Sequence, residues 1–155
     1  MTRIYNAIHI ERPVEEVFDY VTTPGNWPRW HPSSLAVRGA TDHSLTVGEA
    51  VTEAFSVAGR REEVVWTVTE RAAPQLWTIE GQIVGREGGG TVRYRLQARN
   101  GGTWFEREFT YPTRGLLFTL LDLLLIRRRV RKESTEAVAR LKEVLEAAPG
   151  IRARI

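Results

Sequence analysis

The sequence predicts an α+β fold in which a curved antiparallel sheet of six or seven strands wraps around one long C-terminal helix, with two short helices after the first strand. Three observations support this fold. Residues 34–112 consist of segments in which apolar and polar residues alternate, separated by turn residues. Residues 116–147 instead show the three-to-four-residue apolar spacing of an amphipathic helix. Prolines and a glycine cluster at 24–32, which leaves room there only for short helices.

The N-terminal segment predicts a strand followed by a short helix. Residues 2–11 alternate between apolar and polar side chains, which places His9 on the exposed face of the strand. Pro13 suits the first position of a helix, and that helix should end near Thr22. The apolar residues expected to be buried in these two elements are Ile4, Ile8, Ile10, Val14, Val17, Phe18 and Val21.

The segment PGNWPRWHP at 24–32 predicts one or two helical turns and a loop. Trp27 and Trp30 are three residues apart and can lie on one side of such a turn. We expect both rings to close the end of the core, with stacking on a ligand as the alternative. His31 precedes a proline and should be extended. It could reach the opening of a cavity, but nothing beside it in the sequence would orient or activate it.

Six further strands are expected after this segment. Asn100-Gly101 lies between two alternating segments and is a strong hairpin signal. The glycines at 88–90 also lie between two strands and not at a strand-to-helix junction, so they predict a hairpin tip and no phosphate site. The predicted strands are 34–38, 49–58, 61–72, 75–84, 90–99 and 103–112.

Alternation assigns one face of this sheet to the core and the other to water. The intervening residues are mostly Thr, Glu, Gln and Arg, for example Thr78 and Arg93, and we expect them to face water. The residues expected to point inward are Val64, Trp66, Val68, Trp77, Ile79, Gly81, Ile83, Val92, Tyr94, Leu96 and Ala98.

The last strand places a charge on its inner face. Arg107 shares its parity with three aromatic residues, which favour the inner face. Glu106 and Glu108 would then face outward, where each can pair with an arginine of the neighbouring strand. Those arginines are Arg93 and Arg95. The three aromatic residues are Phe105, Phe109 and Tyr111.

Two inward charges predict a cavity. By the same alternation Glu53 lies on the inner face of the strand at 49–58. A charged side chain on an apolar face needs a partner or water, so Arg107 and Glu53 favour a cavity over a closed core, which is the alternative. Large aromatic rings with a few polar groups suit a small-molecule pocket. The candidate ligand-binding residues are Arg107, Glu53, Trp66, Trp77, Tyr94, Phe105, Phe109, Tyr111 and Trp30.

The C-terminal helix has two halves. In the second half, Val130, Ser134, Val138, Leu141 and Leu145 form one stripe that should pack on the sheet. The first half is an apolar block at 116–126, which is shorter than the roughly 20 residues that span a bilayer. We expect it to be half-buried, with peripheral membrane contact through 116–132 as the alternative. The cations that follow the block are Arg127, Arg128, Arg129, Arg131 and Lys132.

Length, charge and cysteine content limit the classes of function that the chain can have. The 155 residues predict one ligand-binding domain at 1–148 and a tail at 149–155. The net charge is only +3. The basic residues are not spread along one face with aromatic residues between them, which argues against nucleic-acid binding. The absence of cysteine excludes disulfides and thiolate metal sites, and the histidines lack ligand spacing, so no metal or cofactor is expected. The N-terminus is not a signal peptide, and a cytoplasmic location is expected.

The order of the elements resembles the helix-grip fold of the START and polyketide-cyclase-like superfamily, SRPBCC. The resemblance is carried by IERPVEEVFDYVTTPGNWPRWHP at 10–32 and RLKEVLE at 140–146. Members include aromatic polyketide aromatases and cyclases, plant allergen-like binders, lipid-transfer domains and chaperone activators. The resemblance implies an apolar cavity between the sheet and the long helix, able to hold a lipid, a polyketide or another hydrophobic metabolite.

Three functions fit these residues, and binding of a hydrophobic small molecule as a carrier or sensor needs the fewest assumptions. The alternative is a polyketide cyclase or aromatase, in which Arg107 would steady an enolate oxygen and Tyr94 or Tyr111 would donate a proton. The third is a membrane-associated lipid-transfer protein that docks through 116–126. The sequence contains no catalytic triad order, metal spacing or nucleotide loop that would identify catalytic residues.

Overall fold

A seven-stranded antiparallel sheet and a C-terminal helix form the fold, as predicted. The computed structural model describes residues 1–57, 59–113, 120 and 125–147. A 3-10 turn at Pro24–Asn26 precedes the second helix. The elements are β1 (Thr2–Ile10), α1 (Val14–Val21), α2 (Trp27–Trp30), β2 (Ser34–Gly39), β3 (Ala50–Val57), β4 (Arg60–Ala72), β5 (Leu76–Ile83), β6 (Gly89–Arg99), β7 (Gly102–Tyr111) and α3 (Arg127–Ala147).

The sheet order is β1-β7-β6-β5-β4-β3-β2, so strands that follow one another from β2 to β7 are neighbours. Every strand lies within one residue of its predicted bounds at each end. The predicted hairpin at Asn100-Gly101 is confirmed: both residues have positive φ, 51° and 77°, as a two-residue turn of this kind requires. The chain therefore runs as a meander that β1 completes at one edge.

The segment after β1 folds largely as predicted. Pro13 is the exception: it precedes α1 in an extended conformation with ψ of 144°, and the helix begins one residue later. The predicted face of α1 is buried through Val17, Phe18 and Val21. Trp27 and Trp30 are 3% and 1% exposed, so both rings belong to the core, and both also border the cavity described below.

Alternation assigned the faces of the sheet correctly at most positions. Nine of the residues predicted to point inward are buried. Ala98 is exposed instead, because it lies near the end of β6. Thr78 was expected to face water but is buried, since Arg93 Nε donates to its Oγ1 over 3.2 Å and that hydroxyl donates to Glu70 over 3.0 Å. The nine residues are Val64, Trp66, Val68, Trp77, Ile79, Gly81, Val92, Tyr94 and Leu96.

On the outer face of the sheet, β6 and β7 pair in the predicted register, but the ion pairs differ from those predicted. Glu108 lies directly opposite Arg93, and Glu106 opposite Arg95. However, the pair with Glu108 is formed by Arg3 at 2.7 Å, and Arg93 reaches Glu70 at 2.8 Å. Long side chains reach diagonal neighbours on a sheet, so register alone does not decide their partners.

Helix α3 packs most closely against β1 and α2. Its predicted stripe is confirmed, since Val130, Ser134, Val138, Leu141 and Leu145 are all buried. Of the predicted helical residues 116–126, all but Leu120, Leu125 and Ile126 lie outside the described residues, as do 148–155.

Leu120 and Leu125 are exposed, and so are the neighbouring cations Arg128 and Arg129. Membrane contact through 116–132 stays a prediction. Across 1–57, 59–113, 120 and 125–147, no helix combines the length and apolar character needed to cross a bilayer.

Arg12 joins the end of α3 to the turn after β1. Its Nε donates to the carbonyl of Leu145 over 2.7 Å, and its Nη2 donates to the carbonyl of Glu146 over 3.1 Å. A cation that hydrogen-bonds the last carbonyls also stabilises the negative end of the helix dipole. Arg12→Met should therefore lower the free energy of unfolding by about 1–3 kcal/mol, measured by urea denaturation.

Arg128→Met is the matched control for this experiment. Arg128 is an exposed arginine of α3, the helix whose end Arg12 contacts. Its effect should stay within about 0.5 kcal/mol. Equal unfolding free energies for the two variants would contradict the capping role of Arg12.

Candidate functional site

A cavity of about 570 Å³ lies between the concave face of the sheet, α2 and α3. This volume is within the range of ligand pockets, about 300–1,000 Å³. Its wall is mainly apolar, with Phe55, Trp66 and Ile79 from the sheet and Val130 from α3. The predicted cavity on the concave face is therefore present.

Two paired glycines make room for the aromatic wall. Gly81 on β5 lies directly opposite Gly90 on β6. A Cβ atom at Gly81 would lie 2.6 Å from the ring of Trp66, and one at Gly90 would lie 2.7 Å from the ring of Phe109. Both rings cross the space that side chains would occupy, so these glycines determine where the wall of the cavity stands.

Arg107 is the charged group of this wall, and it is 6% exposed. Its Nη1 donates to the hydroxyl of Ser134 on α3 over 3.3 Å, and its Nη2 lies 3.3 Å from Nε2 of His31. Its Nε has no hydrogen-bond partner among the described residues. A guanidinium carries five N–H donors, so two long contacts leave it incompletely satisfied.

His31 extends from the end of α2 toward Arg107. The backbone N–H of Ser33 donates to its Nδ1 over 3.2 Å, and the hydroxyl of Ser33 donates to Glu133 on α3 over 2.5 Å. Burial, then the charges of Arg107 and Arg140, lower the pKa of His31 well below its ordinary value of 6.5. The imidazole is therefore neutral at physiological pH. It does have an orienting group nearby in sequence, the amide of Ser33, contrary to the expectation from the sequence.

Glu53 on β3 is one of the acidic groups that line the cavity, and the hydroxyl of Ser34 donates to it over 3.1 Å. Burial raises the pKa of Glu53 to about 7, against the opposing effects of Ser34, Trp66 and Arg107. The indole N–H of Trp66 has no hydrogen-bond partner within bonding distance among the described residues. Glu53 thus populates both its neutral and ionised forms near neutral pH.

Tyr94 lies directly opposite Arg107 on the neighbouring strand. Burial raises the pKa of Tyr94 to about 12, although the adjacent Arg107 acts in the other direction. Its hydroxyl therefore keeps its proton at physiological pH. The ring stacks on Trp77 with centroids 5.4 Å apart and packs against Phe105 at 5.2 Å.

The structure brings most of the candidate residues to one surface. Trp77 and Phe105 are not part of it: both are fully buried, and Trp77 Nε1 donates to the carbonyl of Leu45 over 3.1 Å. These two rings support Tyr94 from behind. The candidates that line the cavity are Arg107, Glu53, Trp66, Tyr94, Phe109, Tyr111 and Trp30.

Sequence reasoning missed several polar residues of the cavity, among them Ser33, Glu133 and Ser134, and it named His31 only as a residue that could reach the cavity opening. For Ser134 a signal was present, because a hydroxyl inside an otherwise apolar helical stripe needs a polar partner. For the others the partners are distant along the chain, and no local pattern marks them.

A family model described as polyketide cyclase / dehydrase and lipid transport matches residues 1–146. Among curated proteins, Penitrem biosynthesis cluster 1 protein I of Penicillium ochrochloron is 34% identical over 70 residues, which cover 44% of this chain and 46% of that protein. The match thus spans about half the length of the curated relative.

Solved structures agree with the fold. The protein TTHA0849 from Thermus thermophilus has a TM-score of 0.73 at 11% identity. The matched region covers 96% of this chain and 100% of TTHA0849. DynU16, from the dynemicin biosynthetic locus, has a TM-score of 0.68 at 16% identity and covers 94% of this chain. This chain spans 47% of DynU16, about half. At these identities the structures show the fold alone.

Glu53→Gln tests the raised pKa. The folded protein binds this proton more tightly than the unfolded chain, whose pKa is near 4.5, so the stabilising contribution of the Glu53 proton is lost as the pH rises from about 4.5 to about 7. The glutamine variant has no such proton. Relative to the wild type, its free energy of unfolding should therefore increase across this window, by about 1–3 kcal/mol at about pH 8.

The measurement is urea denaturation at about pH 5 and about pH 8. Glu80→Gln, which replaces an exposed carboxylate on the outer face of β5, is the control and should show no comparable change between the two pH values. A stability difference between Glu53→Gln and the wild type that is the same at both pH values would contradict the raised pKa.

Proposed function

The chain belongs to the family of polyketide cyclases, dehydrases and lipid-transport proteins, and from that premise we propose that it binds a hydrophobic small molecule as a carrier or sensor. The ligand occupies the cavity between the sheet and α3, with an oxygen-bearing end against Arg107. The observation that carries this proposal is a buried guanidinium on the wall of a mainly apolar cavity of about 570 Å³.

The charge of Arg107 explains why an oxygen is expected. Arginine keeps its proton in proteins, so it cannot escape an apolar environment by becoming neutral. An ion without good partners costs several kcal/mol when it is buried. The polar groups that Arg107 contacts among the described residues are neutral: Ser134 and His31 at 3.3 Å, and the hydroxyl of Tyr94. A carbonyl or carboxylate oxygen in the cavity would supply a shorter and stronger partner.

The apolar wall explains why the rest of the ligand is hydrophobic. Burying about 250 Å² of apolar ligand surface contributes roughly 6 kcal/mol. The loss of translational and rotational freedom on association costs about 4–15 kcal/mol. Apolar burial and association entropy are therefore of similar size, and the polar anchor decides which hydrophobic molecules bind tightly.

Arg107→Met tests the anchor, because methionine keeps the apolar bulk and removes the charge. The affinity for a hydrophobic ketone such as 1-acetylpyrene should fall by about 1.5–3 kcal/mol, the scale of a charged hydrogen bond. This corresponds to roughly 10- to 150-fold in Kd. Fluorescence titration gives the affinity, and native mass spectrometry of the purified wild type shows whether a ligand is retained.

Arg95→Met is the matched control, because Arg95 lies on the adjacent strand and faces water. It should bind 1-acetylpyrene as the wild type does. If Arg107→Met unfolds at a different urea concentration but binds the probe with unchanged affinity, the arginine is structural and the anchor is wrong.

Glu53 favours a second candidate function, catalysis of a cyclase or dehydrase type. A carboxylate with a pKa of about 7 suits a general base at neutral pH. Glu53 would take a proton from the carbon next to a ketone, and the C–H electron pair would pass to the ketone oxygen, which Arg107 stabilises as an enolate. The relatives named for the penitrem and dynemicin loci agree with a biosynthetic role.

Glu53→Gln separates this second candidate from simple binding. If Glu53 is the base, the variant should convert an aromatic poly-ketone substrate mimic at least 100-fold more slowly, while it binds 1-acetylpyrene normally. Glu62→Gln, which replaces a carboxylate on the cavity wall that pairs with Arg86, is the control and should retain the rate. Equal rates for wild type and Glu53→Gln would exclude this role for Glu53.

A further inference from the structure

The contact between His31 and Arg107 joins two groups that both have protons to donate. Arg107 Nη2 lies 3.3 Å from His31 Nε2. On the other side of the ring, the backbone N–H of Ser33 donates to Nδ1 over 3.2 Å. A neutral imidazole has one nitrogen that donates and one that accepts. It therefore cannot accept hydrogen bonds from both neighbours at once.

The amide of Ser33 decides which nitrogen accepts. A backbone N–H cannot turn away from its partner, and leaving it unsatisfied in a buried turn is costly. The turn is also held in place: the hydroxyl of Ser33 donates to Glu133, and its carbonyl accepts from the N–H of Ser56 over 2.9 Å. Nδ1 therefore accepts, and the proton of the neutral ring is on Nε2.

Two donors consequently face each other across the cavity wall without an acceptor between them. A second proton on the ring would make the contact between the two donors more unfavourable, because an imidazolium would lie beside the charge of Arg107. The Nε of Arg107 also has no partner among the described residues, so the guanidinium still has an N–H to donate. An acceptor that entered from the cavity would satisfy His31 Nε2–H and an N–H of Arg107 together.

We propose that His31 and Arg107 form a two-donor site for one acceptor-only oxygen of the ligand: a ketone, its enolate or a carboxylate. This inference rests on the proposed function and specifies the ligand class of the same cavity. The site disfavours an alcohol, because a hydroxyl that accepts from both donors still carries a proton of its own, and neither His31 Nε2–H nor Arg107 can accept it. Ser33 acts as a positioning residue that selects the Nε2–H form of His31.

The first test is the protonation state of the free protein, read from the side-chain ¹⁵N chemical shifts of its histidines by NMR at neutral pH. The spectrum of His31→Gln identifies the His31 signals among the three histidines. The two-donor site requires a neutral His31 with its proton on Nε2. A proton on Nδ1, or an imidazolium, would overturn the inference and leave the cavity proposal intact.

The second test compares two probes with the same carbon skeleton, 1-acetylpyrene and 1-(1-pyrenyl)ethanol. Wild type should bind the ketone at least tenfold more tightly than the alcohol. His31→Phe keeps a ring but has no N–H, so the preference should disappear. His31→Gln keeps a side-chain N–H donor at similar reach, so a preference should remain. Circular dichroism checks that each variant is folded.

The outcomes separate the two proposals. If wild type binds neither probe, the hydrophobic cavity site is wrong, and the two-donor site is wrong with it. If wild type binds both probes equally, or if His31→Phe keeps the full preference for the ketone, the cavity proposal survives and the two-donor site is overturned.

Discussion

The structure of the site depends on one constraint: a guanidinium that cannot lose its charge lies on the inner face of an apolar sheet. Closing the sheet completely onto α3 would bury that charge among hydrocarbon, which costs several kcal/mol. The fold instead leaves a cavity at this position and surrounds Arg107 with neutral polar groups. Ser134, His31 and the hydroxyl of Tyr94 share this role, and none of them removes the charge.

The polar groups around the cavity also connect the layers of the fold. Ser33 and Ser34 follow each other in the chain, yet they hydrogen-bond to carboxylates on different elements, Glu133 on α3 and Glu53 on β3. The turn between α2 and β2 therefore ties the helix to the sheet at the rim of the cavity. A displacement of α3 would change the contacts of both Ser33 and Arg107, so helix position and ligand contacts are coupled.

The sequence predicted the parts of this arrangement that depend on local periodicity. The two-residue alternation of side chains along a strand placed Arg107 and Glu53 on the inner face. The apolar spacing near 3.6 residues, typical of a helix, identified the buried stripe of α3. Parity assigns a residue to a face but not to a position along the cavity, which is why Trp77 and Phe105 share the face of Tyr94 and still lie in the packed core. The sequence indicated that His31 could reach the cavity opening, but its contact with Arg107 could not be predicted, because Arg107 is 76 residues away along the chain.

The most direct test of the central claim is a crystal structure of the protein with a hydrophobic ketone bound. The account predicts that the ligand oxygen lies within hydrogen-bond distance, about 2.7–3.2 Å, of a guanidinium nitrogen of Arg107, with the apolar part of the ligand against Trp66 and Phe109. A structure in which Arg107 pairs directly with Glu53, and the ligand oxygen points toward the solvent, would contradict it.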